Sequence, residues 1–433
     1  MFTTLKNAFK DKELRKKIWI TIALLLVFRL GCWIPVPGID TATFKASISS
    51  QSFLSLLSAI SGGALSNGAI LALGVSPYIS ASIIIQLLAF VIPSWQRLSK
   101  MGEDGRKKIA AYTKWCALIL AIAQAAGIVS GYSSSIKLNL FGATLPTWLA
   151  CSFVALVLVA GAMFTYWLGE KITEVGVSNG LSMLIFVGIL STAGTSLLYS
   201  FQSVFAGNLD SLWNIILFLV ALIFIFALIV FMDLSERKIT VQYAKQIKGR
   251  KMYGGQSNTI DIKLLSTGVM PIIFAMSLLS FPQLIMSIFW PNSGAATWYN
   301  TYLGAGSWAY SVVSGVLILA FAFFYSQMTF NPDDIAKQIQ GNGGFIMGYR
   351  PGKPTADYLR KINNRVTLFG AIFLAFIAIV PTLIFKAVSG DMSGVLVNAF
   401  SATGMLIVVS CALEFNKQLE TLLLMKNYRG FLK

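Results

Sequence analysis

Residues 212–233 read LWNIILFLVALIFIFALIVFMD, and between Asn214 and Asp233 every side chain is apolar, with no strict alternation. A helix needs roughly 20 mostly apolar residues to cross the hydrocarbon core of a bilayer. In lipid every backbone amide must find its partner within the segment, so a run of this length and pattern is a spanning helix and not a barrel strand. Moving outward, comparable runs recur near 18–36, 70–92, 112–132, 148–168, 181–200, 264–290, 308–329, 366–385 and 394–413. Together they predict an all-α polytopic membrane protein with ten transmembrane helices. The composition agrees: the 433 residues are 56% hydrophobic and only 12% charged, with a mean hydropathy of +0.72. That balance does not suit a soluble surface and leaves no long soluble domain.

The formal net charge of +17 raises the possibility of a nucleic-acid partner, so the placement of the basic residues decides its meaning. Taking the connections alternately, residues 1–17, 93–114, 169–180, 234–263, 330–365 and 414–433 hold 30 of the 34 Lys and Arg. The opposite connections hold only Lys45, Lys137 and Lys386, and Arg29 lies inside the first span. By the positive-inside rule both termini are cytosolic. The basic start ahead of an apolar run has the look of a signal peptide. However, the run is of full span length, ends in Pro35-Val36-Pro37-Gly38 and is not closely followed by a small-residue cleavage site, so it reads as a retained first span. The four cysteines, Cys32, Cys116, Cys151 and Cys411, fall within spans without paired spacing, which favours buried apolar roles over a disulfide or a metal site. Histidine is absent.

One motif occurs twice. Gly74-Val75-Ser76-Pro77-Tyr78-Ile79 opens the second span and Gly268-Val269-Met270-Pro271-Ile272-Ile273 the seventh, both of the form G-V-x-P-x-I. The copies open the second helix of the first five and the second of the last five. An odd number of spans per half inverts one half against the other, as in inverted-repeat transport proteins, which place their pathway between the halves. The expected halves are 1–200 and 201–433. The plainer account is that each proline only shapes a helix start, where a missing N–H is harmless. Proline and glycine breaks at membrane depth also occur where backbone lines a cavity or is buried in protein.

Charge-coupled transport needs ionisable groups inside the bilayer. Here Asp233, Glu414 and Lys386 sit at span ends, and Arg29 is close enough to an end to snorkel. Gln86 and Gln124 are polar within spans and suit helix-to-helix hydrogen bonds. A secondary transporter or a flippase built on the same repeat is the competing reading, disfavoured by this short list of charges. A membrane-embedded enzyme is disfavoured too: there is no phosphate-binding G-x-x-x-x-G-K-[ST], no H-E-x-x-H and no convincing pairing of nucleophile and base. Gly254-Gly255 and Gly341-Asn342-Gly343-Gly344 read as turns. No cofactor is expected, and energy has to come from a partner.

Two connections on the basic side, 234–263 and 330–365, are unusually long, and long loops are generally functional or disordered. They set turns and aromatics among the charges, as in Gly249-Arg250-Lys251-Met252-Tyr253 and Gly348-Tyr349-Arg350-Pro351-Gly352-Lys353. A basic exposed loop is a natural contact for acidic partners, RNA phosphates included.

These loops resemble the cytosolic loops of the SecY family of protein-conducting channels. The stretches Ser61 to Ser66, Pro77 to Leu88, Gly102 to Ile109, Gly176 to Ser182 and Arg365 to Gly370 resemble it in order, so the likeness covers essentially the whole chain. The resemblance implies a SecY/Sec61 fold in the bacterial plasma membrane, an hourglass channel between two inverted five-helix halves. It would pass unfolded polypeptides across the membrane and release helices sideways into membrane lipids. It also implies SecE and SecG as companion subunits, SecA or a translating ribosome as the source of energy, and polypeptides bearing signal sequences as clients.

Carried over residue by residue, the resemblance assigns a waist of apolar side chains to Val75, Ile79, Ile185, Ile189, Ile273 and Ile407. Branched apolar side chains suit a narrow, dry constriction. Val75 departs from the isoleucine usual in the family. A sealing plug is implied for residues 53–68, with Phe53, Leu54, Leu57, Ile60, Gly62, Gly63 and Leu65 as its core. This segment is too short to cross, and its small residues leave a packed position cheaply. Gln86, Gln124 and Ser277 are the candidates for polar contacts across a lateral gate. Docking of SecA or the ribosome is implied for Arg237, Lys238, Lys248, Arg250, Lys251, Arg350 and Lys353, with Arg350 matching the arginine that couples to SecA. Thr240 and Asp261 stand where the family commonly has proline.

Overall fold

The computed structural model of the protein describes residues 2–41, 58, 61–131, 136, 139–140, 143–144, 146–205, 210–243, 246–248, 251–253, 257–265, 268, 270–289, 293–304, 307–388 and 402–431. Each predicted span meets a helix: α2 (Lys12–Gly31), α3 (Ser76–Val91), α5 (Glu103–Gly131), α6 (Thr147–Val175), α7 (Gly180–Phe205), α8 (Asp210–Leu234), α9 (Met270–Phe289), α11 (Trp308–Thr329), α13 (Lys353–Val388) and α14 (Ala402–Phe431). Shorter helices accompany them: α1 (Phe2–Lys10), α4 (Pro93–Lys100), α10 (Gly294–Tyr302) and α12 (Pro332–Gly341). Among the described residues, five helical stretches are long and apolar enough by themselves to cross a membrane, and the segments Ser76–Val91, Leu222–Leu234 and Met270–Leu279 are apolar but shorter.

The chain forms two compact units. The first comprises Met1–Ile216, Ser277–Tyr310 and Phe385–Lys433, the second Leu217–Met276 and Ser311–Ile384. In the first unit α5 packs on α3 and α6, α7 on α6 and α14, and α1 on α2 and α14. Small residues set these approaches. Ala117, Ala121 and Ala125, spaced one turn apart on α5, are buried, as are Ala81 and Ala89 on α3. Gly161 on α6 backs onto the Ile70 carbonyl, and Gly180 at the start of α7 onto the carbonyl of Gly169, with no space for a Cβ at either position. Close backbone approach of this kind is how helices associate in lipid, where apolar burial alone provides no drive.

Large apolar side chains are exposed on the outer faces, Ile119, Leu156, Phe231 and Phe369 among them at 65–71%. Exposed tryptophans sit at several helix ends: Trp33 just past the end of α2, Trp148 opening α6 and Trp308 opening α11. Amphipathic indoles at such places are the signature of a membrane-water interface.

The second unit holds a feature that goes beyond an all-helical reading. The connection after α8 forms β3 (Glu236–Tyr243) and β6 (Ser257–Lys263), paired antiparallel from Glu236↔Lys263 to Gln242↔Ser257. Strand β7 (Gly344–Ile346), from the other long connection, adds to the free edge of β3 with Val241 opposite Ile346. Ile239, Val241, Ile262, Ile339, Ile346 and Leu359 form a buried core beneath this sheet, closed by α12 and the first turns of α13. Helix α12 starts with Asn331, whose side chain accepts from the Asp333 amide, followed by Pro332. The two long basic connections are therefore one small folded body. Thr240 and Asp261 both lie in its ladder, opposite Thr259 and Lys238. The remaining strands are two short hairpins, β1 (Asn139–Leu140) with β2 (Ala143–Thr144) and β4 (Gln246–Lys248) with β5 (Lys251–Tyr253).

Candidate functional site

The repeated motif makes the same backbone twice. Gly74 and Gly268 both take left-handed φ values, 53° and 59°. Each donates its amide back to a leucine three residues earlier, Leu71 and Leu265, at 3.0 Å. A helix then begins with proline in its first turn, Pro77 in α3 and Pro271 in α9. Glycine is needed because a side chain at these φ angles is strained, and proline is tolerated because first-turn amides have no helical partner.

Around the first copy, the candidate waist residues lie in apolar surroundings. Val75 is buried at the N-cap of α3 in a cluster with Phe28, Leu71, Leu168 and Leu184, and Ile79, half-buried, packs against the same cluster. Ile185 and Ile189 are buried one turn apart on α7. Ile407 is buried on α14, and one turn further Cys411 Sγ lies 3.7 Å from Met183 Sδ, holding α14 to α7. Ile273 belongs to the second unit and is half-buried on α9. Its neighbour Phe274 is buried edge-on to Phe321 and Tyr325, with centroids 5.8 and 5.2 Å away.

Of the candidate plug residues, Phe53, Leu54, Leu57 and Ile60 lie outside the described residues, whereas Gly62, Gly63 and Leu65 are within them. Residues 61–68 are successive turns tied largely to themselves and to Ser58. The Gly63 amide donates to the Ser58 carbonyl at 2.7 Å and the Asn67 amide to the Gly63 carbonyl at 3.1 Å. Ser61 Oγ donates to the Ser58 carbonyl at 3.1 Å, and Ser66 Oγ to that of Gly63 at 2.8 Å. Ser58 and Ser61 are both buried; the Ser61 hydroxyl is satisfied by the Ser58 carbonyl, and Ser58 Oγ accepts from the Ser66 amide at 3.2 Å, so neither hydroxyl is left costly to desolvate. The turns abut the backbone beside candidate waist residues: a Cβ on Gly62 would come 2.9 Å from Gly188 Cα, next to Ile189, and one on Gly74 would come 3.4 Å from Ser61 Cβ, next to Val75.

Arg29 does not extend to an aqueous face, as its closeness to a helix end suggested. Its guanidinium turns inward and donates to the Gly62 carbonyl at 3.3 Å. A contact between residues 33 positions apart leaves no mark in local sequence.

The lateral-gate candidates have different surroundings. Gln86 is half-buried and donates to Ser82 Oγ at 3.1 Å. Gln124 is 6% exposed, and its Oε1 finds no donor among the described residues. Ser277 is half-buried on α9.

The docking candidates line the small sheet and its turns. Arg237 and Lys238 are exposed on β3. The Lys238 ammonium lies 3.1 Å from Glu236, which pushes its pKa up. Lys248 and Lys251 face each other across the β4–β5 pairing, and Arg250, between those strands, lies outside the described residues. Arg350 is exposed at an open cleft of about 580 Å³, lined also by Gln340, Phe345, Gly348, Tyr349 and Pro351. Its carbonyl accepts from Thr355 Oγ1 at 2.7 Å, and the Tyr349 ring stacks on Tyr358 at 4.0 Å, bracing the turn that presents the guanidinium. Lys353 is exposed at the first position of α13. The period-two alternation of Ile239 with Val241 and of Ile260 with Ile262 is the sequence signal that could have revealed this sheet.

The family model for SecY matches residues 69–416. A protein translocase subunit SecY of Streptomyces galbus is 38% identical over 444 residues, covering 100% of both chains. The protein of that name from Escherichia coli K12 is 38% identical over 430 residues, covering 97% of this chain and 94% of the relative. Among solved structures, one described as a protein conducting channel aligns with a TM-score of 0.65 at 20% identity, covering 94% of this chain and 91% of that one. A structure addressing how the plug domain of the SecY protein stabilises the closed state of the translocation channel aligns at 0.65 and 19% identity, with the same coverage. Sec61 in the canine ribosome-channel complex aligns at 0.62 and 18% identity, again over 94% of this chain and 91% of that one. At these identities the structural likenesses speak for the fold.

Proposed function

Because this chain belongs to the SecY family, it is a protein-conducting channel subunit of the Sec translocase, and we propose the division of labour among its residues that follows. Two inverted halves, 1–200 and 201–433, enclose a polypeptide pathway. Val75, Ile79, Ile185, Ile189, Ile273 and Ile407 form its dry waist, and residues 53–68 seal it from outside. Gln86, Gln124 and Ser277 contribute polar contacts to a lateral gate. The observation that carries this reading is the duplicated helix start: a left-handed glycine and a first-turn proline occur at Gly74/Pro77 and again at Gly268/Pro271, each followed two residues later by a candidate waist isoleucine. Apolar side chains at a narrow constriction resist water and ions by dewetting while offering a translocating chain no fixed partner.

The protein is a passive conduit and not an enzyme. It works in the bacterial plasma membrane with both termini in the cytosol, braced by SecE and SecG and driven by SecA or a translating ribosome. The small basic body of the second unit is the docking surface, with Arg237, Lys238, Lys248, Arg250, Lys251, Arg350 and Lys353 as its contacts. Its exposed cations and braced Arg350 turn support that assignment, since such a surface attracts acidic protein faces and RNA phosphates. The test is the double variant Ile79→Asn, Ile273→Asn, reconstituted with the partner subunits. Resting ion conductance should rise, and precursors with weakened signal sequences should be exported better. Unchanged conductance together with unchanged signal selectivity would remove both residues from the waist.

A further inference from the structure

We propose that Arg29 is the positioning residue that latches the sealing turns of residues 61–68 in place, through its hydrogen bond to the Gly62 carbonyl. The inference rests on the reading of these turns as part of the seal, and it adds what holds them there.

Arg29 lies inside the first predicted span, away from the basic connections that hold 30 of the 34 Lys and Arg. Charge at membrane depth is costly and tends to persist where it has a task. Two helical positions separate it from the end of α2, and Trp33 just beyond is 73% exposed, so a side chain of this length could reach the interface. It turns inward instead, to a backbone carbonyl 3.3 Å away.

The carbonyl belongs to a residue with no freedom to be anything but glycine. Gly62 has φ 72°, and a Cβ there would run into Arg29 Nη1 on one side and lie 2.9 Å from Gly188 Cα on the other. Gly62 is thus clasped between the guanidinium and the backbone of α7, one residue from Ile189. On the same side, Cys32 Sγ, one turn from Arg29, approaches the Ser61 carbonyl at 3.9 Å, a weak contact.

Among the described residues, the remaining bonds of these turns run inward apart from one at their far end, where the Val36 amide donates to the Gly68 carbonyl at 2.8 Å and serves as the pivot about which residues 61–67 can move. Ser61 and Ser66 hydroxyls and the Gly63 and Asn67 amides all bond to carbonyls within 58–63, and the Ser66 amide bonds to Ser58 Oγ. Such a knot can shift without unravelling. What changes on displacement is the exchange of a charge-assisted hydrogen bond for hydration of both groups, a modest net difference that suits a two-state element. Arg29 therefore sets the balance between seated and displaced turns.

The experiment uses the full chain assembled with its small partner subunits in planar bilayers, and reads resting ion conductance. Arg29→Leu should raise it about tenfold or more, the range expected for losing one hydrogen bond to a charged group. Arg29→Lys, which keeps the charge and one donor direction, should restore part of the seal. Replacing residues 61–66 by a Gly-Ser linker should leak by itself, and Arg29→Leu should add nothing in that background. A linker variant that leaks beside a tight Arg29→Leu overturns the latch and leaves the seal reading standing. If neither leaks, the seal reading falls and the latch with it. Leaks that simply add show Arg29 acting elsewhere and overturn the inference. Should Arg29→Leu fail to assemble, Arg29→Gln takes its place, and wild-type conductance there overturns the proposal.

Discussion

The small sheet-bearing body of the second unit offers the most quantitative test, through Leu359→Ala. Leu359 is 0% exposed and shares its core with Ile239, Val241, Ile262, Ile339 and Ile346. Truncating a fully buried leucine costs about 3 kcal/mol, from lost transfer energy plus the cavity left behind. Among the described residues, six buried side chains make up the centre of that core, with only partly buried neighbours around them to absorb the loss. At 1.4 kcal/mol per factor of ten, the population of locally opened sheet should rise about 100-fold. Limited tryptic digestion of the protein in membranes reads this directly, because Arg237, Lys238 and Lys263 lie in the β3–β6 ladder and their peptide bonds are protected while it is paired. Where opening is fast relative to cleavage, the cutting rate follows the open population. Cleavage at these three sites should therefore accelerate about 100-fold, while Thr240→Ala, on the exposed face of the same strand, stays within about twofold of the parent. If Leu359→Ala leaves the cutting rate unchanged, the two connections are independent loops and the shared core is wrong.

For Arg350→Glu, SecA-driven export should fall by an order of magnitude or more, by analogy with charge reversal at any close ionic contact, while assembly with partner subunits and resting conductance stay unchanged. Normal export would defeat the docking role. At Gly161 an alanine would drive its Cβ into the Ile70 carbonyl, and separating α6 from that backbone should cost about 1–3 kcal/mol. Thermal unfolding in detergent should register this as a clear loss of stability, whereas Gly194→Ala, where nothing lies within 4 Å of the added carbon, should be close to silent.

The prolines of the duplicated motif illustrate what local sequence carries well. A proline in the first turn and a glycine three residues before it are short-range requirements, and the structure repeats them at Gly74 and Gly268 with matching turns. The sheet is the opposite case. Strand β7 pairs with β3 from about a hundred residues away, and basic residues with turns on either side hid the short alternation of Ile239 and Val241. Gln124 shows the same limit: its polarity within a span is obvious from sequence, but its burial, with no donor to Oε1 among the described residues, depends on neighbours in other helices.

By itself, the order of residues determined the apolar spans, the gathering of basic residues into alternate connections and the near absence of charge within the spans. Each of these is a one-dimensional property: the length of an apolar run, or the connections in which 30 of 34 basic residues fall. Tertiary structure alone decided that the two long connections share one core, that Gly62 lies against Gly188, and that Arg29 turns inward to a carbonyl and not outward to water. These are meetings of residues distant along the chain. Their energies depend on the shape of the space between helices, which no local run of amino acids encodes.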